Sequence, residues 1–505
     1  MRTNIRTSRA IRGAVLPALA AAMLALSCGD FYYDMMGTET VLVTLWRWVH
    51  PRDLLTDNFD PKKSPFAGSS FAGASSGGSG SAIVTWRQDR GGENHIMMRQ
   101  RRYGIWSSPA DLTLAVNPAG GVSSSQQTAM NLRGDAIVVW LQNDGIHTHV
   151  YGRQRRGGFW RTIDAGSGHI DPEGQSSNAP HVAMDDNGNA IIVWSQSDGT
   201  YSHIFKSEYR GGAWTHPSSL AGDNIDPEIP AAQPSYRPRA AMDNAGNAII
   251  AWSGYSDASN VHVYRSEYRS GSWTHPANLG NHIDQSTIFA QSSDDVRVAM
   301  GDNGEGVIVW SAGDGTNTHI YMTEYRGGAW SAAPDIDSGH IDPDGQNSDS
   351  PAVAMDRSGN TIIVWMQSDG GVRHIYRSEY RGGAWVHPAG LADNIDPDGS
   401  PGDSLEPRVA MEDGGSAVIT WFQADLISYY HIYMAEYRDG VWRYPVSLQT
   451  DNIDPRSGTS GQNAMWPAVS MSDGGYAVIA WHASDGSYNR IYISEYAKHS
   501  LPLPR

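Results

Sequence analysis

The sequence predicts an all-β fold, an eight-bladed β-propeller of four-stranded antiparallel blades closed by an N-terminal strand that completes the last blade. Three observations predict it. A tryptophan ending an apolar run recurs at Trp86, Trp140, Trp194, Trp252, Trp310, Trp365, Trp421 and Trp481, at intervals of 54, 54, 58, 58, 55, 56 and 60 residues. Within each interval, clusters of Gly, Asn and Asp separate four β-prone runs. A copy of the one strand missing from the last repeat stands at the opposite end of the chain.

In chain order, residues 1–27 read as an export signal. Arg2, Arg6, Arg9 and Arg12 precede the apolar run 14–26, and small residues lead to Cys28. The run is too short to span a bilayer. Cys28 is the only cysteine, which excludes an intramolecular disulfide. The segment Leu24-Ala25-Leu26-Ser27-Cys28 resembles a bacterial lipobox, although Ala25 stands where that family prefers Leu. The resemblance implies lipidation of Cys28, with 28–40 as a lipid-anchored tether and the membrane reached through that lipid alone. Ala25-Leu26-Ser27 also reads as an ordinary small-x-small cleavage site.

The composition, with 55 Gly, 18 Trp and 23 Tyr but only 8 Phe, suits short strands and tight turns. The net charge is -17, and a chain starting at Cys28 would carry -21, having lost four arginines and no acid. That excludes non-specific nucleic-acid binding and favours solubility.

The third repeat shows the plan of a blade. Pro180 to Met184 forms strand a, Ala190 to Trp194 strand b, His203 to Arg210 strand c, and Ala213-Trp214-Thr215 strand d. Strand b is continuously apolar, so both of its faces should be covered, as in stacked sheets. Four-stranded units every 55 residues or so are what propeller blades require, whereas the turns of a β-solenoid are shorter and parallel.

A second tryptophan, on strand d, appears at Trp106, Trp160, Trp214, Trp273, Trp330, Trp385 and Trp442, but the eighth repeat lacks it. Residues 48–61 match 385–397 at most positions, so the vacancy is filled from the N-terminus. Residues 41–55 supply strand d of blade 8 and 467–496 its strands a to c. The single propeller domain then covers 41–496, with 497–505 as a C-terminal tail. This resembles propellers that close by exchange of a terminal strand, a device that removes the unpaired edges of an open array. The motif Asn-Gly-Asn-Ala-Ile-Ile-Val-Trp, followed by Ser-Glu-Tyr-Arg-Gly-Gly-Ala-Trp, is similar to repeats of uncharacterised bacterial exported lipoproteins; that resemblance implies architecture and envelope location, not an activity.

Two polar series run through the blades. Strand c begins at His95, His149, His203, His262, His319, His374 and His431, with Arg490 in the eighth. The d–a loops carry Asp60, Asp171, Asp226, Asp284, Asp342, Asp396 and Asp454, with Asn117 in the remaining case. Both fall on one face of a ring. They could be metal ligands, but Arg490 cannot ligate, so the expectation is a structural hydrogen bond in each blade and no metal. The loop Asp342-Pro-Asp344-Gly345-Gln-Asn-Ser-Asp349, and Asp396-Pro-Asp398-Gly399 as a shorter version, have calcium-like oxygen spacing without the full pattern, and Pro-Asp-Gly is also a strong turn sequence. Glu208, Glu267, Glu324, Glu379, Glu436 and Glu495 recur on strand c, with Gln100 and Gln154 in the first two blades, which reads as a ladder rather than catalysis.

A single site belongs where the repeat breaks. The departures are Tyr236, Ile288 and Phe289, Leu426 and Ile427, Tyr429 and Tyr430, and Trp466, which place apolar groups in the d–a and b–c loops. No Ser/His/Asp, paired-carboxylate or phosphate-loop pattern stands apart from the repeat. The expectation is a non-enzymatic binding or scaffold propeller, without cofactor, whose loop face contacts an envelope protein or glycan. A multivalent carbohydrate-binding lectin built on the tryptophans, and a polysaccharide-active hydrolase or lyase, are the alternatives.

Overall fold

In a computed structural model the described residues are 32–36, 40–54, 56–60, 68–90, 93–107, 115–117, 121–227, 234–256, 260–284, 295–397, 402–455 and 462–502. Cys28 and the export segment lie outside them. Among the described residues, apart from two short 3₁₀ turns, Gly78–Gly80 and Leu391–Asp393, the regular structure is all strand. No helix among the described residues is long and apolar enough to cross a membrane.

Seven sheets of four antiparallel strands follow chain order, as in blade 3: Ser177–Met184, Ala190–Ser197, Ser202–Arg210 and Ala213–Thr215. The eighth sheet runs Ala464–Met471, Ala477–Ser484, Asn489–Pro502, Thr40–Val49, Tyr32–Met36, so chain termini supply adjacent strands and close the ring.

The chain divides into two compact units. Residues 50–495 form the ring of blades. Strand a of blade 1 (Ser69–Gly77) packs on strands a and b of blade 8, and Ser76 and Ser470 hydroxyls meet at 2.8 Å. The segment after the N-terminal strand is tied to the last strand c: His50 to Ser494 at 2.8 Å, the Phe59 N–H to the Ile491 carbonyl at 2.6 Å, and the Tyr492 hydroxyl to the Leu54 carbonyl at 2.5 Å.

The other unit comprises 1–49 and 496–505. Here the structure differs from the expected tether and tail. Residues 32–36 pair antiparallel with 40–44, in register Tyr32 with Thr44, and the last strand continues to Pro502. A Tyr-Tyr pair facing a Thr-Val-Leu-Val-Thr run has high strand propensity, and pairing satisfies backbone groups that a free tether would leave to water. Trp46 and Trp48 each contact Tyr496 at 5.6 Å.

The core lies between blades, as the unbroken apolar strand b requires. The eight repeated tryptophans from Trp86 to Trp481 are all essentially inaccessible. Each from Trp140 onward stacks on the strand-c aromatic opposite it, as Trp194 on Phe205 and Trp365 on Tyr376. Blade 3 shows how the sheets interlock, since Ile192 and Trp194 cluster with Ile137 and Val139 of blade 2.

Candidate functional site

The polar series on the loop face resolves into a repeated clamp. In every blade the N–H after the strand-c His or Arg donates to the loop carboxylate or amide oxygen, from Ile96 to Asn117 at 2.9 Å round to Ile491 and Asp60 at 3.0 Å. The histidines join through Nδ1: His149 to Asp171 at 2.9 Å, His203 to Asp226 at 3.0 Å, His262 to Asp284 at 3.1 Å, His319 to Asp342 at 3.0 Å, His374 to Asp396 at 3.0 Å and His431 to Asp454 at 2.8 Å. Arg490 takes the same place, 3.3 Å from Asp60. The hydrogen bond to Asp226 or Asp396 raises the pKa of His203 and His374. These aspartates are buried and occupied: Asp342 also accepts from the Ser348 hydroxyl at 2.6 Å, which leaves little of it for calcium.

Three blades add a second histidine, giving the groups His149 with His169 and Glu173, His262 with His282 and Asp284, and His319 with His340 and Asp342. Their imidazoles stack at 3.9, 3.9 and 4.2 Å. Stacked rings present their Nε2 lone pairs in parallel planes, so one ion cannot lie in the plane of both rings at the usual bond length of about 2 Å. In blades 3, 6 and 7 the second histidine is replaced by Asn224, Asn394 and Asn452, whose amides donate to the same aspartates. The second histidine does the work of that amide.

The strand-d tryptophans and strand-c glutamates form a ladder between blades. Trp273 Nε1 donates to Glu208 at 2.6 Å, Trp330 to Glu267 at 2.7 Å, Trp385 to Glu324 and Trp442 to Glu379 at 3.0 Å. Lys206, Arg265 and Arg377 lie over the Trp273, Trp330 and Trp442 rings. In blade 1, Arg99 lies over Phe59 at 4.0 Å and Arg101 pairs with Glu495 at 2.9 Å, and in blade 2 Arg156 lies over Tyr209 at 3.8 Å. The strand-b tryptophans are thus inaccessible and four of the strand-d set are engaged between blades, while Trp106, Trp160 and Trp214 are half-buried with no hydrogen bond from Nε1 among the described residues.

The irregular apolar residues separate. Leu426 and Ile427 project from the b–c turn of blade 7, 55% and 71% exposed, with Tyr429 beside them half-buried. Ile288 and Phe289 lie outside the described residues. Tyr236, Tyr430 and Trp466 are on strands, not loops: Tyr236 in Ser235–Met242, Tyr430 opening Tyr430–Arg438, and Trp466 in Ala464–Met471. Strand a starts earlier than its apolar pattern suggests because its pairing resumes across a bulge, where alternation with period two is lost.

That bulge defines the mouth of the central channel. In seven blades the register of strands a and b slips by one residue, and the residue inside the slip is left-handed: Phe71, Ser125, Ala179, Arg237, Ser350, Glu406 and Trp466, with φ of 49–58°. Asp295 is the equivalent in blade 5. Glycine would relieve the strain at each, yet a chain with 55 glycines places none there. Bulky residues in this conformation are outliers, and the inference from outlier to function is legitimate.

One arc of the mouth is charged. Arg297 pairs with Asp295 at 3.2 Å and Arg408 with Glu406 at 2.8 Å. Arg239, between them and Arg237 in the electrostatic field, makes its only hydrogen bond among the described residues to the Pro238 carbonyl at 3.0 Å. Burial and the adjacent Arg297 guanidinium bring Arg239 down to about 9. His181, lowered to about 3 by burial and then by Arg239 and Arg297, is neutral and accepts from the Ala240 N–H at 3.3 Å. Burial, reinforced by Asp295 and Glu406, raises the Asp349 carboxyl. Arg239, Arg297 and Arg408 thus share this arc with three carboxyls, Asp295, Asp349 and Glu406, two of them ion-paired.

The other arc is aromatic. Phe71 and Trp466 rings lie 6.1 Å apart, 44% and 38% exposed, with Phe422 at 5.8 Å from Trp466 and Tyr430 edge-on to Phe422. Arg87 lies 4.6 Å over Phe71, and His482, lowered to about 4 by burial, stands behind it. Of this mouth the sequence patterns had singled out Tyr430 and Trp466. Phe71, Arg239, Asp295, Arg297, Glu406 and Arg408 were missed, and Asp349 was noted only as the end of a calcium-like loop; the available signal was the variety of the aligned positions at the start of strand a in an otherwise repetitive chain.

At the opposite end, after strand a, a second column reads Gly78, Leu132, Asp186, Asn244, Asp302, Arg357, Asp413 and Asp473. Its one base, Arg357, reaches Asp186 at 2.5 Å, Asp302 at 2.7 Å, Asp473 at 2.8 Å and Asp413. The group borders a cavity of about 190 Å³ ringed by methionines including Met130, Met184 and Met471. Blades 3 and 7 stand opposite each other in a ring of eight, so Arg357 ties it across its width.

No family model and no curated protein matches the chain. Solved structures similar to it include a protein of unknown function from Dyadobacter fermentans, with 12% identity, TM-score 0.36, and 66% of this chain and 97% of that one covered. The GH93 α-L-arabinofuranosidase of Fusarium graminearum has 13% identity, TM-score 0.34, and coverage of 64% and 95%. The Aleuria aurantia lectin has 16% identity, TM-score 0.33, and coverage of 63% and 94%. Scores this low transfer neither a residue nor an activity.

Proposed function

We propose that the protein is a non-enzymatic recognition propeller of the bacterial envelope, tethered through Cys28, that takes one ligand at the channel mouth on the face of the d–a and b–c loops. The observation that carries this reading is the mouth ring itself, where seven strained positions hold Phe, Ser, Ala, Arg, Ser, Glu and Trp while the surrounding blade positions repeat. Unlike the varied column at the opposite end, which is closed on itself by Arg357, this one presents exposed aromatic and charged groups, and its asymmetry selects a ligand. A glycan array probed with the protein from residue 28 onward is the test. One ligand class, bound one per chain and lost in Trp466→Ala and Arg239→Gln with unchanged melting, is expected. Binding that is multivalent, or indifferent to both substitutions, would overturn it.

A hydrolytic reading has one specific observation in its favour: Asp349, raised by burial and by Asp295 and Glu406, has the environment of a proton donor beside two carboxyls paired with arginine. It requires release of saccharide fragments from polysaccharide that Asp349→Asn abolishes. Product formation unaffected by that substitution would remove it.

A further inference from the structure

Resting on the mouth as the binding site, we infer that its ligand is an acidic saccharide, a sugar ring bearing a carboxylate, with the acid held by Arg239, Arg297 and Arg408 and a sugar face laid on Phe71 and Trp466. The anionic half follows from the charge balance. Arg297 and Arg408 each give one terminal nitrogen to Asp295 or Glu406 and the other to the Val296 or Pro407 carbonyl, whereas Arg239 bonds only the Pro238 carbonyl and no carboxylate among the described residues. A guanidinium fork with free N–H groups matches a carboxylate in two parallel bonds. Asp295 and Glu406 serve Arg297 and Arg408, so Arg239, repelled by the Arg297 guanidinium, is the position that a ligand carboxylate would neutralise.

The saccharide half follows from the opposite arc. Two aromatic rings are held partly open to solvent by a strained backbone, Phe71 at φ 53° and Trp466 at φ 58°. Such faces suit the C–H face of a sugar ring. An acidic peptide would recognise an inner strand by adding to its edge, and Pro180, Pro238, Pro351, Pro407 and Pro467 immediately follow the bulge residues in five blades, removing the N–H a peptide strand needs. A polyanionic nucleic acid is disfavoured by the acidity of the rest of the surface.

The test is titration calorimetry of the chain from residue 28 with oligosaccharides of galacturonate, glucuronate and sialic acid, each beside its methyl ester, which keeps the ring and removes the charge. One of the acids is expected to bind, its ester about tenfold more weakly. Arg239→Gln should cost the acid about tenfold and leave the ester unchanged, while Trp466→Ala weakens both. Equal binding of acid and ester, or loss in Trp466→Ala alone, overturns the acidic ligand but keeps the mouth as the site. Binding insensitive to both substitutions overturns the mouth as well. An absence of binding by all three acids, with a neutral glycan or an acidic peptide captured instead through Trp466, overturns this inference only.

Discussion

At the scale of single residues, the left-handed positions of strand a separate strain from use. Ala179 at φ 49° carries a side chain too small to reach far, so Ala179→Gly should stabilise the protein by about 1 kcal/mol, read as a shift in denaturation midpoint with unchanged slope. A loss of stability there would mean that the Cβ packs. Trp466→Gly relieves the same backbone and should lose the ligand, because that residue holds an exposed ring. The clamp aspartates obey a different logic. Asn117 fills their place in blade 1 and still accepts from the Ile96 N–H. Asp226→Asn should therefore be milder than Asp226→Ala, which strands the buried Ile204 N–H and costs roughly 1–3 kcal/mol. Chemical denaturation of both variants checks the order.

At the scale of elements, the turn after strand a couples charge to pH. Burial, followed by the neighbouring Asp473, raises Asp413 to about 7, against Arg357, which lowers it. A carboxyl that holds its proton more tightly folded than unfolded weakens the fold as pH rises. Asp413 should thus subtract stability progressively from about pH 4 to pH 7, and Asp413→Asn should flatten that part of a melting-temperature profile. The clamp acts in the opposite direction. Asp284 is held down to about 2 despite its burial, by hydrogen bonds from His262 and His282, so its contribution is present above about pH 4 and is lost as pH falls toward 2. A profile peaking in mildly acid solution combines the two.

At the scale of the whole molecule, Arg357 and the closing strands hold the ring. Arg357→Met leaves Asp186, Asp302, Asp413 and Asp473 facing one another around one cavity, and the melting temperature should fall by several degrees at pH 8 but by less at pH 5. An equal fall at both values would assign the loss to packing. The other joint lies between residues 50–60 and the last strand c. Deleting residues 28–60 should expose the edge of that strand and turn a single elution peak into aggregates, whereas deleting residues 28–38 should not.

The sequence by itself determined the number of blades, the order of their strands and the exchange of a terminal strand. Each of these is written as a local pattern, Trp86 to Trp481 for strand b and residues 48–61 for the displaced strand d, and a local pattern can be counted. It also placed Asp171 or Asp396 beside its histidine, since loop and strand start share a face in every blade. Only the tertiary structure decided the site. Phe71, Arg239, Asp349, Glu406 and Trp466 share no spacing or common chemistry; ring closure sets the starts of successive strands a around one axis, and a bulge there puts Phe71, Glu406 and Trp466 in a strained left-handed backbone. Bulge and charge balance arise from contacts between blades hundreds of residues apart, which no window of sequence contains.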